Sequence, residues 1–382
     1  MELTILMPCL NEAETIVQCI EKAKSFLKES GINGEILISD NGSTDGSIAL
    51  AEKHGARVVH AAERGYGAAL LNGIKNSQAR FIIMGDSDDS YDFSSLMPFI
   101  IKLREGHELV MGNRFKGGIK PNTMPFLNRY LGNPILSFIG RLFFRCPIKD
   151  FHCGLRGFDR EAINRLQLTA SGMEFASEMV VKAALKNLRI TEVPTILSPD
   201  GRSRPPHLRK WRDGWRHLRL LLLFSPRWMF LYPGLLLISI GIILMTTISY
   251  QAFYIGRWRL DIHSLLFAST FVIIGLQAVF FSIFSSIITS YSLKLPSNNK
   301  LNLFLRKFTL ESGLIFGILM IIAGISGSVL ALHKWAGSGF GALLPEEMMR
   351  ITIPSVTLLI VGMQTVFASF FANLIINYNS PK

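Results

Sequence analysis

Phe81-Ile82-Ile83-Met84-Gly85-Asp86-Ser87-Asp88-Asp89 passes from an apolar run into three carboxylates within four residues. A short run with β-branched residues, bounded by glycine, predicts a buried strand. Carboxylates just past such a strand sit at the carboxyl edge of an α/β sheet, where ligands bind. Asp86 and Asp88, two apart in an irregular turn, can converge on one hard divalent cation. Mg²⁺ or Mn²⁺ held by one or two carboxylates takes its remaining ligands from substrate phosphates and water, so a metal-bound nucleotide is the first expectation. The competing reading is a solvated acidic turn in which Asp caps a helix.

Residues 1 to about 200 extend the same pattern. Leu3 to Met7 is predicted as a strand, and Asn11 with Glu14 as a capping box that opens a helix. Glu35 to Ser39 is a second strand, followed by Asp40-Asn41-Gly42-Ser43-Thr44-Asp45-Gly46, a run of turn formers ahead of another helix. Arg57 to His60 is a third strand, and Gly65-Tyr66-Gly67-Ala68-Ala69 begins the helix after it. Repeated βα units of this length predict a mostly parallel sheet with helices on both faces. They bring Asp40 to the same edge as Asp86 and Asp88.

Composition requires a second, different half. The chain has 382 residues, 49% of them apolar, and a mean hydropathy of +0.33, too greasy for an ordinary soluble protein. Met1 leads directly into the first strand without a basic leader or a cleavable apolar stretch, which predicts a cytosolic N-terminal half. Cys9, Cys19, Cys146 and Cys153 show neither a C-x-x-C pair nor zinc spacing, and are expected as free thiols in a reducing compartment. Between Arg202 and Arg227 stand eight Lys or Arg against one acidic residue, Asp213, so the stretch carries +7 of the formal +12. With Trp211, Trp215 and Trp228 it has the composition of a juxtamembrane segment, over 202–228, against anionic headgroups. Nucleic acid is the rival partner for such a patch and is set aside, because four apolar spans come next: Met229 to Tyr250, Ser264 to Leu293, Ser312 to Leu332 and Ile351 to Ile376. Lys294, Lys300, Arg306 and Lys307 make the loop between the second and third spans basic as well. The positive-inside rule then places the N-terminal domain and the C-terminus, Lys382, in the cytosol.

The ordered set Met7-Pro8-Cys9-Leu10-Asn11-Glu12, Asp40 to Gly46, Gly85-Asp86-Ser87-Asp88 and Gly112-Asn113-Arg114-Phe115 resembles glycosyltransferase family 2, the inverting transferases of GT-A fold. Asp150-Phe151-His152-Cys153-Gly154-Leu155-Arg156-Gly157-Phe158 and Gly201-Arg202-Ser203-Arg204 resemble later motifs of its polyprenyl-phosphate (dolichyl-phosphate) mannosyl- and glucosyltransferases. The resemblance implies an α/β GT-A domain, Rossmann-like with a mostly parallel sheet, over 1–201, and an all-α membrane domain of four transmembrane helices over 229–382. It implies that Pro8, Leu10, Glu12, Asp40, Asp86 and Arg202 bind the nucleotide and that Asp86 and Asp88 hold Mg²⁺ or Mn²⁺. Arg114, Arg129 and Asn133 would meet the acceptor phosphate, and Asp88, Arg114 and Asp150 would serve the chemistry. Ser90 stands where many members carry a metal-ligating Gln, and Asn133 where relatives often have Ser.

Other residues leave two readings each. Arg202 and Arg204 suit either a leaving diphosphate or simple membrane-surface charge. Gly65 and Gly67 suit a close nucleotide or, more commonly, tight packing. Glu174 and Glu178 share a helix face that is expected as a solvated stripe. Met124 to Arg145, with Arg129, Arg141 and Arg145 among apolar residues and Pro134 interrupting, suits a bilayer interface or a core helix pair.

Three function classes remain. The leading one is hexose transfer from a nucleotide sugar (GDP-mannose or UDP-glucose type) to polyprenyl phosphate at the cytosolic membrane face, with a homo-oligomer left open. A processive polysaccharide synthase shares the early motifs, but Arg209-Lys210-Trp211-Arg212 lacks the Gln of its Q-x-x-R-W pattern. A non-enzymatic membrane scaffold has no use for Asp86, Asp88, Arg114 and Asp150 together. Asp150 is the natural candidate base, but a phosphate acceptor is already ionised, so Asp150 is expected to orient a neighbouring Arg, with Arg156 the candidate, or the sugar.

Overall fold

The computed structural model describes residues 1–203, 210–292, 309–342 and 344–379. The chain forms two compact units, Met1–Phe224 and Ser225–Lys382. In the first, β1 (Leu3–Cys9), β2 (Gly34–Asp40), β3 (Arg57–His60), β4 (Phe81–Met84), β5 (Leu109–Asn113), β6 (Arg156–Asp159) and β7 (Ile190–Pro194) make one sheet in the order β3-β2-β1-β4-β6-β5-β7. All neighbours are parallel except β6, which runs antiparallel to both β4 and β5. The helices are α1 (Ile16–Ser30), α2 (Ser47–Lys53), α3 (Tyr66–Asn76), α4 (Met97–Arg104), α5 (Arg114–Gly117), α6 (Asn133–Phe144), α7 (Arg160–Asn164), α8 (Phe175–Leu185) and α9 (Lys210–Leu223).

The alternation of a strand explains the two cores. Leu3, Ile5 and Met7 of β1, with Phe81 and Ile83 of β4, face one layer that includes Ile16 and Ile20 of α1 and Phe99 of α4. Leu6, Ile82 and Met84 face the other, among Leu70 of α3 and Phe175 and Met179 of α8. Both faces are covered, so the strands are apolar almost throughout, and each buried Leu or Phe contributes about 1.5–3 kcal/mol. A mostly parallel α/β sheet followed by a helical region is therefore observed as expected.

Two expectations are corrected. Asn11 and Glu14 form no capping box: α1 begins only at Ile16, Asn11 has φ +59°, and its side chain accepts the Thr44 N–H at 2.7 Å. Glu14 instead receives the Ser203 N–H and hydroxyl. Glu178 is not on a solvated stripe; it is buried, 2.7 Å from Lys182 and bonded by the N–H groups of Thr169 and Ala170, which compensate its desolvation. Helix α9 belongs to the first unit, packing on α6 and α8 and burying Leu221 in their core.

In the second unit, α10 (Tyr232–Tyr250), α11 (Ile262–Ser292), α12 (Leu310–Gly337) and α13 (Pro345–Asn379) come after a π turn at Arg227–Leu231, and β8 (Phe253–Ile255) pairs with β9 (Trp258–Leu260). All four helices are long and apolar enough to cross a membrane. The loop cations Lys294, Lys300, Arg306 and Lys307, and Lys382, lie outside the described residues. Helices α10 and α11 meet through glycine: a Cβ on Gly275 would lie 2.7 Å from the Gly234 carbonyl oxygen, and one on Gly241 2.8 Å from that of Ala268. The pair α12 and α13 repeats the contact, with a Cβ on Gly362 2.7 Å from the Gly317 oxygen and one on Gly324 2.7 Å from that of Ser355. Backbones this close leave no room for a side chain. Gly362→Val is therefore expected to lower the unfolding free energy by about 1–3 kcal/mol through overpacking, and thermal unfolding in detergent, read against a lipid-facing Ile322→Val control, measures it.

Candidate functional site

The carboxyl ends of β1, β2 and β4 lie side by side, and the residues just beyond them build the site. Asp40 ends β2 and folds back on its own turn, accepting the Gly42 and Ser43 N–H groups at 3.0 Å each, with His60 Nδ1 3.3 Å away. Burial opposes its charge, but these donors and the Ser43 hydroxyl outweigh it and hold the carboxyl below the usual range. Asp45 anchors the neighbouring loop by accepting the Ala13 N–H at 2.9 Å. Asn11, Glu12, Glu14, Thr44, Asp45 and Arg202 line a cleft of about 340 Å³ beside these turns. Pro8 accepts the Ser87 hydroxyl through its carbonyl, and Thr15 donates its hydroxyl to the Ser87 carbonyl, so the segments carrying Leu10 and Asp86 are laced together.

Arg202 is the hub of the acidic edge. Its guanidinium lies 3.1 Å from Glu12, 2.9 Å from Asp88 and 2.9 Å from Asp200. Burial works against that charge, but the three carboxylates raise the pKa of Arg202 above its ordinary value. Asp88 also accepts the Ser90 N–H and hydroxyl, so Ser90 is spent on orienting Asp88. Asp86 accepts the Tyr66 hydroxyl at 2.8 Å. Burial first, and Asp88 second, push Asp86 up to about 6, against the Tyr66 bond and the charges of Arg202 and Arg156. Gly154 packs against it so closely that a Cβ there would lie 2.5 Å from Asp86 Oδ2. Among the described residues no three His, Cys, Asp or Glu side chains are grouped to hold a metal. Two carboxylates two residues apart, close to a cleft but without a third protein ligand among those residues, fit Mg²⁺ or Mn²⁺ bound mainly through a substrate diphosphate and water.

Asp150 and Arg114 form a second, buried centre. Arg114 Nε and Nη2 donate to the two Asp150 oxygens at 2.8 and 2.7 Å, and the Arg114 N–H adds a third bond at 3.0 Å. Asp150 has 0% exposure. Its partner is Arg114, not Arg156, whose guanidinium is used on the carbonyls of Cys153, Ala176 and Phe151. Arg129 lies on a π turn at Asn128–Gly132, 5.5 Å above the Tyr130 ring, and the Asn133 amide points to Met124 Sδ at 3.5 Å. Phe126, Leu127, Tyr130, Leu131, Ile135, Phe138 and Leu142 are exposed around them, which favours the interfacial reading of this segment over a core helix pair.

Sequence reasoning missed Tyr66, Asp200 and the orienting role of Ser90. An aromatic set between two glycines at a helix start, and an acid two residues before Arg202, were the available signals. Gly65 and Gly67 serve packing, since Cβ atoms there would lie 2.2 Å from the carbonyl oxygens of Ser171 and Ala170. Arg204 lies outside the described residues. All four cysteines are buried and free, with burial raising Cys9 and Cys146 to about 11 and Cys19 and Cys153 to about 12, which leaves them unreactive thiols.

Residues 4–167 match the family profile described as Glycosyl transferase family 2, and residues 289–376 the one described as Glycosyltransferase family 2 C-terminal transmembrane region. The chain is 33% identical over 369 residues to the low-salt glycan biosynthesis hexosyltransferase Agl6 of Haloferax volcanii, covering 96% of this chain and 87% of that protein. A dolichyl-phosphate hexose transferase of the same organism is 26% identical over 193 residues, or 50% of this chain and 81% of that protein. Among solved structures, glucosyl-3-phosphoglycerate synthase from Mycobacterium tuberculosis aligns at 21% identity with a TM-score of 0.48, over 59% of this chain and 80% of that one.

The buried pair makes a sharp stability prediction. Asp150→Ala strands a guanidinium and is expected to cost about 3–5 kcal/mol, whereas Asp150→Asn, which keeps an acceptor, costs roughly half as much. Denaturant unfolding of the purified protein measures both, and a loss under about 1 kcal/mol for Asp150→Ala would mean that Arg114 finds water or another partner.

Proposed function

The chain belongs to glycosyltransferase family 2, and from that premise we propose that it transfers a hexose from a nucleotide sugar to a polyprenyl (dolichyl) phosphate at the cytosolic membrane face, inverting the anomeric centre. The observation that carries the choice of acceptor is the closure of Asp150. A hydroxyl acceptor needs a base, and the carboxylate otherwise best suited to that role is fully buried with both oxygens held by Arg114. A phosphate monoester, with a second pKa near ~6, needs no base at neutral pH. The names of the two Haloferax relatives, a hexosyltransferase and a dolichyl-phosphate hexose transferase, support the same choice.

In this reading the nucleotide enters the cleft between the turns after β1 and β2. The acceptor phosphate oxygen attacks the anomeric carbon as its bond to the diphosphate breaks. Arg202, already held at the site by Glu12, Asp88 and Asp200, neutralises the departing diphosphate, and Tyr66 and Ser90 keep Asp86 and Asp88 in place. A divalent cation held by Asp86 and Asp88 would add further neutralisation of the leaving group. Arg114 and Arg129 receive the acceptor phosphate, Arg129 from a surface whose exposed Phe126 and Leu127 suit a lipid interface. The charges at the turn between α10 and α11 and the start of α13 are largely paired, Arg259 with Asp261 and Glu346, and Arg350 with Asp261. The loop between α10 and α11 carries only Arg257 and Arg259, against eight Lys or Arg from Arg202 to Arg227, and this asymmetry supports the cytosolic side for that stretch.

Labelled sugar recovered in an organic-soluble, mild-acid-labile lipid is the expected product; its absence with every nucleotide hexose offered would reject the reading. The rate should rise with pH through the second ionisation of the acceptor, near ~6, and the limb should move when a phosphonate of higher pKa is used. It should persist in Asp150→Asn; a limb that ignores the acceptor and vanishes in that variant would make Asp150 the base. Arg129→Ala should raise the lipid KM about tenfold or more with little change in the donor KM, through loss of charge-assisted bonds.

A further inference from the structure

Helix α9 lies outside both matched profile segments, 4–167 and 289–376, yet its inward stripe is polar where a packing helix is ordinarily apolar. Asp213, His217 and Leu221 are buried, while Arg212, Trp215 and Arg216 are exposed. His217 Nδ1 lies 2.8 Å from Ser177 Oγ on α8, and the same oxygen lies 3.3 Å from His152 Nε2. The two imidazoles meet edge to face, with centroids 4.6 Å apart. Burial, reinforced by Arg156, pushes His217 down to about 4, and burial beside His217 pushes His152 well below its usual value, so both rings are neutral at physiological pH. A hydroxyl between two neutral imidazoles donates to one ring and accepts from the other, which fixes all three groups in orientation.

His152 belongs to the turn that serves both catalytic centres. Asp150 at its start carries Arg114, and Gly154 at its end donates its N–H to the Tyr91 hydroxyl at 2.9 Å while backing Asp86. The carbonyls of Phe151 and Cys153 are held by Arg156 from within the fold. The His217–Ser177–His152 chain adds a tie from the outermost helix of the unit.

We propose that His217 is a positioning residue: through Ser177 and His152 it fixes the Asp150–Gly154 turn, and with it the Arg114 guanidinium and the Asp86 carboxylate. The consequence for turnover rests on the transfer reaction proposed above; the mechanical link does not. A leucine of similar volume would fill the same space but could not hold the turn's orientation.

Amide exchange of the full-length protein in detergent, with kcat and donor KM from the same preparations, tests this. His217→Leu keeps bulk and removes both ring nitrogens, whereas His217→Asn keeps a polar atom near the Nδ1 position. In His217→Leu the amides from Phe151 to Gly154 should exchange about tenfold faster and kcat should fall about tenfold, with donor KM within about twofold, and His217→Asn should restore most of both. Unchanged exchange in His217→Leu overturns the proposal whatever happens to turnover. Faster exchange with wild-type kcat overturns it too, as does a loss that His217→Asn fails to relieve. If the wild-type protein transfers no hexose to polyprenyl phosphate, the proposed reaction falls, and the exchange comparison still decides whether α9 holds the turn.

Discussion

A guanidinium and a carboxylate buried together hold this site in shape. Removing both ions from water costs several kcal/mol each, and only a full set of bonds offsets that cost. Arg114 and Asp150 supply it with three donors to two oxygens. The pair also carries the β5–β6 pairing beyond the sheet's edge, since Arg114 comes directly after β5 and Asp150 opens the turn before the antiparallel strand β6. Glu192 on β7 extends the network, accepting the Asp150 N–H at 3.1 Å and the Asn113 amide at 2.9 Å. A cation that is buried, charged and unable to swing is suited to meeting a phosphate whose position must be reproducible.

The acidic edge works by a different balance. Glu12, Asp86, Asp88 and Asp200 would repel one another, and Arg202 makes their proximity tolerable by bonding three of them. Asp86 is the one left outside that grip, bonded by Tyr66 and raised to about 6, first by burial and then by Asp88. In the proposed reaction an arriving diphosphate brings negative charge to the same place. The guanidinium then has two sets of anions to serve, and exchanging one set for the other couples ligand entry to rearrangement of the edge.

Much of the fold was legible because β1, β2 and β4 are short, largely apolar runs ended at or just before Asn, Asp or Gly, and because four helices of the second unit each contain an apolar stretch long enough to cross a membrane. The grouping of Asp86 and Asp88 was legible for the same reason: parallel strands deliver the turns at their carboxyl ends to one edge. The features that escaped depend on partners far away in sequence. Glu14 has the spacing of a capping box but is taken by Ser203. Glu178 has the charge of a surface residue but meets Lys182 in a helix buried nearly all round. Helix α9 has the composition of a membrane-surface segment; one face, with Arg212, Trp215 and Arg216, is exposed, and the other carries His217 into the core of the first unit. Local pattern names an element, whereas burial of a polar group is decided by whatever the rest of the chain sets beside it.

The twin glycine contacts of the second unit have a consequence for how such a chain can change. Gly234 against Gly275 and Gly317 against Gly362 place the same close contact in each helix pair, with Gly241 on Ala268 and Gly324 on Ser355 seven residues further along. Each hairpin closes by backbone contact within itself and returns the chain to the side from which it set out. A hairpin that closes within itself can be added or removed without changing the side of a membrane that its two ends share, whereas a single helix cannot.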